Sequence, residues 1–407
     1  MSKYLNVFNT LAEYQAFSAS TEYVQPNVAL VKETNVLYYD YGDNKPQADL
    51  SDYKLESEET SVGGNKYGNS AITKVNYIPS GITGLKNAFS NWSSLEEVTC
   101  KIPNSVTNMS YTFAGCTSLV TVPVIPNSVT NIESTFLACT SLVNAPVIPN
   151  SVTNMSYTFQ GCTSLVNAPV IPNSVTNMRY TFGGCTSLVN APVIPNSVTD
   201  MSYTFGSCTS LVNAPVIPNS VTNIESTFSG CTSLVNAPVI PSSVTDMRDT
   251  FEGCTSLVTA PVIPSGVKSL YYTFGGCTSL VNAPEIPSGV INMRYTFGSC
   301  TSLVNAPVIP NSVTNIESTF SGCTSLVNAP VIPNSVTNMR YTFQGCTSLK
   351  EVTFLRTTPP SYDNTLNGCS SLESIYVPDE SVDAYKTATG WSQFASKIKP
   401  LSEKPSE

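Results

Sequence analysis

Histidine is absent from the chain. Its absence removes Ser-His and Cys-His nucleophile pairs, imidazole general bases and most zinc sites, so the expectation is a non-enzyme with no cofactor and no metal. Charged residues are scarce as well, at 12%, about half the usual share of a soluble protein, and Ser, Thr and Asn carry the polarity instead. The few charges give a net of -9, which argues against nucleic acid, because phosphate binding needs a basic stripe. No apolar run approaches the roughly 20 residues that cross a bilayer, so membrane insertion is not expected. The opening Met-Ser-Lys-Tyr-Leu-Asn has neither the basic nor the apolar region of a secretory signal, and export by that route is not expected either.

What the chain does have is repetition. Twelve cysteines recur every 23 residues from Cys116 to Cys369. A fixed period of this size marks a solenoid, in which each unit is too small to bury its own apolar face and stacks on its neighbours. With the total odd at 13 and the spacing that of the repeat, the cysteines read as small buried side chains in a ladder rather than a disulfide framework. Lying on one line, they also cannot surround a metal ion.

The copy beginning at Cys162 shows the unit: Leu165, Ala168, Ile171, Val175, Met178 and Phe182 belong to columns that hardly change and read as core. Two short extended segments are expected per unit, one around Leu-Val-Asn-Ala and one around Val-Thr-Asn-Met-x-Tyr-Thr-Phe. Pro169 and Pro172 cannot donate to a ladder, so the better-paired sheet is expected to follow Val-Thr-Asn-Met. The column Asn131, Asn154, Asn177, Asn223, Asn292, Asn315 and Asn338, interrupted by Asp200, Asp246 and Ser269, reads as a ladder that satisfies corner amides.

The run Asn-Ser-Val-Thr-Asn-Met-Ser-Tyr-Thr-Phe-x-Gly-Cys-Thr-Ser-Leu resembles the BspA-like, treponemal-type leucine-rich repeats, especially the sub-type of mycoplasma lipoproteins. The resemblance covers residues 78 to about 400. It departs from the treponemal form in its longer Ala-Pro-Val-Ile-Pro and shorter Met-x-Tyr-Thr-Phe stretches, which leaves the strand register open. What it implies is a mostly β, leucine-rich-repeat solenoid of about 13 rungs, in a family that includes surface proteins and adhesins, hence binding rather than catalysis.

The ends depart from the unit, as solenoid caps must. Trp92 stands in the cysteine column of the first copy. Residues 1–70 are expected to form a small α+β attachment module: a helix opened by the capping box Thr10-Leu-Ala-Glu13 and running to about Ser18, then strands at Val28–Val31 and Val36–Tyr39, then a polar linker from Gln47 to Ser70. The solenoid is placed at 71–377. Residues 378–407 are read as a capping helix, N-capped near Asp379 and stopped by Gly390, with Tyr385, Trp391 and Phe394 covering the last rung and a loose tail from Lys399.

Three columns vary while the rest stay fixed. One runs Ser110, Glu133, Ser156, Arg179, Ser202, Glu225, Arg248, Tyr271, Arg294, Glu317 and Arg340; the next holds Tyr157, Tyr180, Tyr203, Tyr272, Tyr295 and Tyr341 among serines and Asp249. The third, after Phe, mixes Ala114, Leu137, Gln160, Gly183, Glu252 and Gln344. Aromatic and charged residues that interchange in this way belong at solvent or at a rim. The candidate ligand-binding face is therefore Tyr157, Arg179, Tyr180, Tyr203, Arg248, Tyr271, Tyr272, Arg294, Tyr295, Arg340 and Tyr341, with rings to stack on sugars and polar groups to bond hydroxyls. A tolerant solvated face spread by duplication is the alternative. Glu133, Glu225 and Glu317 fall four rungs apart, about 19 Å at the strand spacing, too far for a glycosidase pair.

The segment Pro26–Tyr39 looks like the N-terminal segments of structural proteins from phages of gut Bacteroides-type bacteria. Together with the missing signal, that likeness points to a multi-copy virion surface protein, a fibre or capsid decoration. Its N-terminal module would join a larger assembly, and its repeats would contact a host glycan or protein. A decoration protein with no ligand and a bacterial cell-surface adhesin remain the alternatives, and homo-oligomerisation is expected.

Overall fold

The computed structural model describes residues 5–8, 27–31, 36–40, 47–49, 73–78 and 82–405, in two compact units, Met1–Val198 and Thr199–Glu407. The first unit opens with a six-stranded sheet in chain order: β1 (Leu5–Phe8), β2 (Asn27–Val31), β3 (Val36–Asp40), β4 (Gln47–Asp49), β5 (Lys74–Tyr77) and β6 (Glu97–Val98). β2 and β3 pair antiparallel from Val31↔Val36 outward. β5 and β6 pair in parallel with Lys74 opposite Glu97, the 23-residue offset of the repeat, and an ion pair of 3.2 Å joins the same two side chains. The stretch expected to begin a linker at Gln47 begins instead with β4, which pairs in parallel with β5 and so joins the N-terminal strands to the first rung. The expected helix from Thr10 and the rest of the linker lie outside the described residues.

From Cys116 onward continuous strand gives way to single parallel bridges. One series links Asn144, Asn167 and Asn190; the other links Asn131, Asn154 and Asn177. The prolines explain the brevity of the first. The second does not extend into the better-paired sheet that was expected, because Met-x-Tyr-Thr-Phe is a run of turns rather than an extended segment. Its cause is the asparagine: Asn154 Oδ1 accepts the Ser156 amide at 3.0 Å, an Asx turn that bends the chain out of extended conformation. Tyr157 then sits at φ 58° and Gly161 at φ 73°. The rungs remain hydrogen-bonded without β geometry, since Tyr157, Phe159 and Gly161 donate their amides to Arg179, Thr181 and Gly183 carbonyls at 2.9, 2.9 and 2.7 Å.

This winding turns the phenylalanines inward. Phe113, Phe136, Phe159 and Phe182 are fully buried and stack on one another at 5.5 to 5.7 Å. Each buried threonine hydroxyl is held by carbonyls, Thr158 Oγ1 lying 2.8 Å from Met155 O and 3.0 Å from Ile132 O. Of Pro-Val-Ile-Pro the isoleucine enters the core and the second proline is buried beside it, as at Pro149 and Pro172, while the valine is exposed; the alanine before the segment, read from sequence as core, is half-buried. The cysteines are more than filler. Cys162 Sγ donates to Phe136 O at 3.1 Å, a contact repeated at Cys116, Cys139 and Cys185. Burial pushes the Cys116 and Cys162 thiols up to about 12. At pH 8 the native chain is therefore expected to give about one fast equivalent with a thiol reagent such as dithionitrobenzoate, from half-buried Cys100, against all 13 after denaturation. Several fast equivalents from the native state would contradict the buried column.

The second unit repeats the rung, with Phe205 to Phe343 stacked throughout. It ends in a parallel sheet of β7 (Asn328–Ile332), β8 (Glu351–Phe354), β9 (Ser374–Val377) and β10 (Ile398–Pro400), in spatial order β10-β9-β8-β7. The longest strand of the repeat thus forms on the proline segment, where the partner β8 is the proline-free Glu351-Val-Thr-Phe354. The cap differs from expectation in two places. Its helix α1 is short, Val382–Thr387, preceded by a 3-10 turn at Asp379–Ser381 and without a side-chain N-cap; the Asp379 carboxylate accepts the Ser402 amide instead. The tail is not loose, because β10 pairs with β9 and Lys404 reaches Glu351 at 3.2 Å.

Candidate recognition surface

The left-handed tyrosine position sets this face. An L-residue there costs roughly 1–2 kcal/mol, yet Tyr157, Tyr180, Tyr203, Tyr272, Tyr295 and Tyr341 all adopt φ between 51° and 58°. The turn swings each ring outward, half-buried, while the Thr and Phe that follow go inward.

In the first unit the expected residues Tyr157, Arg179 and Tyr180 come together. The two rings stack at 4.7 Å and 8°, and the Arg179 guanidinium lies 5.5 Å from the Tyr180 centroid. In the second unit Tyr272 and Tyr295 stack at 4.4 Å and Tyr271 meets Tyr272 edge-on at 4.8 Å. Arg294 lies 5.7 Å from the Tyr271 ring and 5.3 Å from that of Tyr295. Its Nη2 is 3.3 Å from Glu317 Oε1, and its Nε is buried with no hydrogen-bond acceptor among the described residues. Arg340 covers Tyr341 at 4.7 Å and donates to its phenol at 3.0 Å, which pulls that phenol below its usual range. Arg248 stands apart from the rings, forked onto Asp246 at 2.6 to 3.1 Å and 3.5 Å from Glu225. Tyr203 is half-buried, with Ser226 as its counterpart in the next rung. The small members of the columns do not face solvent: Ser110, Ser156, Ser202, Ser226 and Ser318 are buried.

These contacts change what the face offers. Rings stacked at this distance turn two faces toward each other, so sugars cannot lie on the inner faces as the sequence suggested. Ring edges, phenol hydroxyls and guanidinium groups are what remain for a ligand. Sequence reasoning also passed over the acidic group beside Arg248. Burial, then Glu252 and Glu225, raise the Asp249 carboxyl to about 6. Among the described residues no three His, Cys, Asp or Glu side chains gather to hold a metal, and no helix is long and apolar enough to cross a membrane.

The comparisons with known proteins place the fold. A leucine-rich repeat protein from Bacteroides ovatus covers 94% of this chain and 100% of its own at 23% identity, with a TM-score of 0.63. A leucine rich cell surface protein from Faecalibacterium prausnitzii covers 89% of this chain and 96% of its own at 22% identity, with a TM-score of 0.48. No curated protein matches the chain. The sequence profile of the BspA type leucine rich repeat region, built of six copies, matches residues 46–166, 155–281, 247–340 and 270–389. A match that starts ahead of the first rung and carries on into the cap assigns the repeats as a whole: the chain belongs to the BspA-type leucine-rich-repeat family.

Proposed function

We propose that the protein is a non-enzymatic recognition or adhesion protein of a bacterial cell surface, contacting a glycan or protein through its Tyr/Arg/Glu face. One observation carries the reading. Over a core repeated rung after rung, the columns that carry Tyr, Arg and Glu change in chemistry, and at Tyr157, Tyr180, Tyr203, Tyr272, Tyr295 and Tyr341 they place tyrosine in a left-handed backbone position that glycine would occupy without strain. Family membership and the surface proteins and adhesins of that family support the same reading. The virion reading rests on the short Pro26–Tyr39 likeness, which the comparisons leave without support.

The array supplies its own conservative test, because serine already stands at both variable columns, as Ser156 and Ser318. The triple variant Tyr272→Ser, Arg294→Ser, Tyr295→Ser should fold as the parent does. On an array of mucin, plant and bacterial-surface glycans and on intact bacterial cells, it should bind at least about tenfold more weakly, the loss expected when ring and guanidinium anchors are removed. Binding equal to the parent's would exclude this face.

A further inference from the structure

At the turn after the phenylalanine column, backbone bonds tie rung to rung. In the second unit Gly230, Gly253, Gly276, Gly322 and Gly345 donate their N–H to a carbonyl of the next rung at 2.6 to 2.8 Å. Gly368 fills the same position in the last rung, at φ 78°, with no further rung to receive its bond. Among the described residues its N–H has no acceptor. The peptide group it shares with Asn367 is therefore held on one side alone, where the Asn367 carbonyl accepts the Gly345 amide at 2.8 Å. The Asn367 side chain makes no hydrogen bond among the described residues, and both residues are exposed. Asn367-Gly368 is also the one Asn-Gly pair in the chain.

We infer that Asn367 is a self-modification site, which deamidates through a succinimide and leaves isoaspartate in the last rung. The Gly368 nitrogen, its proton lost to solvent base, attacks Asn367 Cγ; a C–N bond forms, the bond to the side-chain nitrogen breaks and ammonia leaves. Water then opens the ring. Opening at Cγ gives aspartate, and opening at the main-chain carbonyl gives isoaspartate, whose backbone runs through the side chain and is one carbon longer. Two features select this pair. Glycine has no Cβ to hinder the approach and its backbone turns freely, whereas Asn311-Ser312 and Asn334-Ser335, at exposed corners of the same unit, set a side chain beside the attacking nitrogen. That nitrogen must also surrender its proton and swing toward the side chain, which a hydrogen-bonded amide resists, and Gly368 has no such bond to break. The product lengthens the chain where the column is least covered. Cys369 is 9% exposed against 0% for the cysteines of the rungs before it, and its amide bond to Leu366 O at 3.2 Å spans the altered peptide.

The full chain, held folded at pH 8 and then digested at acid pH, should gain one mass unit on the peptide that holds Asn367. It should do so at least about tenfold faster than on any Asn-Ser peptide, and that peptide should become a methyl acceptor for an isoaspartyl methyltransferase. The aged chain should also show a second fast thiol equivalent, from Cys369. Gln344 precedes the glycine of the previous rung, so the fold accepts glutamine at this position, and Asn367→Gln should keep both its mass there and its thiol count. Asn367 left intact while the Asn-Ser corners deamidate, an Asn367→Gln chain that gains the same mass in that peptide, or a modified chain whose Cys369 reacts as slowly as in fresh protein would each overturn the inference.

Discussion

Raised from pH 8 to pH 10 at constant ionic strength, the protein is expected to unfold cooperatively, with the cysteine column as the cause. Burial drives the thiols of Cys116, Cys162, Cys231 and Cys300 up to about 12 and that of Cys369 to about 11. Cys139, Cys254, Cys277, Cys323 and Cys346 are raised for the same reason. An unfolded chain ionises its thiols near pH 8.5. Below that pH both states hold the proton and the column has no effect on stability. Above it the unfolded state releases protons that the native state retains, so stability falls with rising pH until the folded values are reached. One unit above pH 8.5 each thiol contributes about 1.4 kcal/mol to unfolding, and ten contribute about 14 kcal/mol, the whole stability of many domains. Far-UV circular dichroism against pH gives the midpoint, and the steepness of the transition gives the number of protons released. Replacing Cys162 and Cys231 by alanine should lower that number by about two. A native spectrum retained at pH 11 would sink the idea.

The same column shows how far the sequence could be read. Its 23-residue period identified the solenoid because Cys, Leu and Phe return without a break, and a residue that returns to the same place in every copy is held there by packing. Burial of the column was therefore legible. The hydrogen bond from each thiol to the phenylalanine carbonyl of the preceding rung was not, since it depends on a backbone path that periodicity leaves open. That path is where the reading went wrong. Tyr-Thr-Phe has the composition of a strand, but the Asn154 side chain captures the Ser156 amide and sends Tyr157 into the left-handed region. A local side-chain bond outweighed the propensity of three residues. The tail failed for a related reason. Ile398-Lys-Pro400 is polar enough to look loose, yet the edge of β9 leaves backbone groups that need partners, and β10 supplies them.

For the candidate site, variability located the columns but could not show that their members pair with one another. Residues 23 apart in sequence look independent. The winding brings Tyr157 within 4.7 Å of Tyr180 and Tyr272 within 4.4 Å of Tyr295, and what seemed a row of separate binding groups is a set of stacked clusters. The exposed valine of Pro-Val-Ile-Pro escaped notice for the opposite reason: an apolar residue repeated in nearly every copy looks like core. Only the alternation across Pro-Val-Ile-Pro, Ile148 at 5% exposure beside Val147 at 83%, separates the two.

Replacing Trp391 by alanine is expected to cost about 3–5 kcal/mol, the range for large aromatic truncations in a core. Trp391 is fully buried. It meets Phe354, Tyr385 and Tyr362 edge-on at 5.2, 5.3 and 5.6 Å and donates its indole N–H to Pro360 O at 2.7 Å. In a stack where each rung is stabilised by its neighbours, the last rung has one neighbour fewer, and the cap makes up the difference. Losing the ring opens Phe354 to water and lets the end of the array fray before the centre does. Trp391→Phe separates the two contributions, because it keeps most of the ring contact and leaves the Pro360 carbonyl without its donor, for a loss of about 1–2 kcal/mol. Urea unfolding followed by circular dichroism measures both. With only two tryptophans in the chain, Trp391 fluorescence in a Trp92→Phe background reports the cap alone, and its transition should precede the loss of the dichroism signal. A Trp391→Ala chain as stable as the parent would show that the rungs hold without the cap.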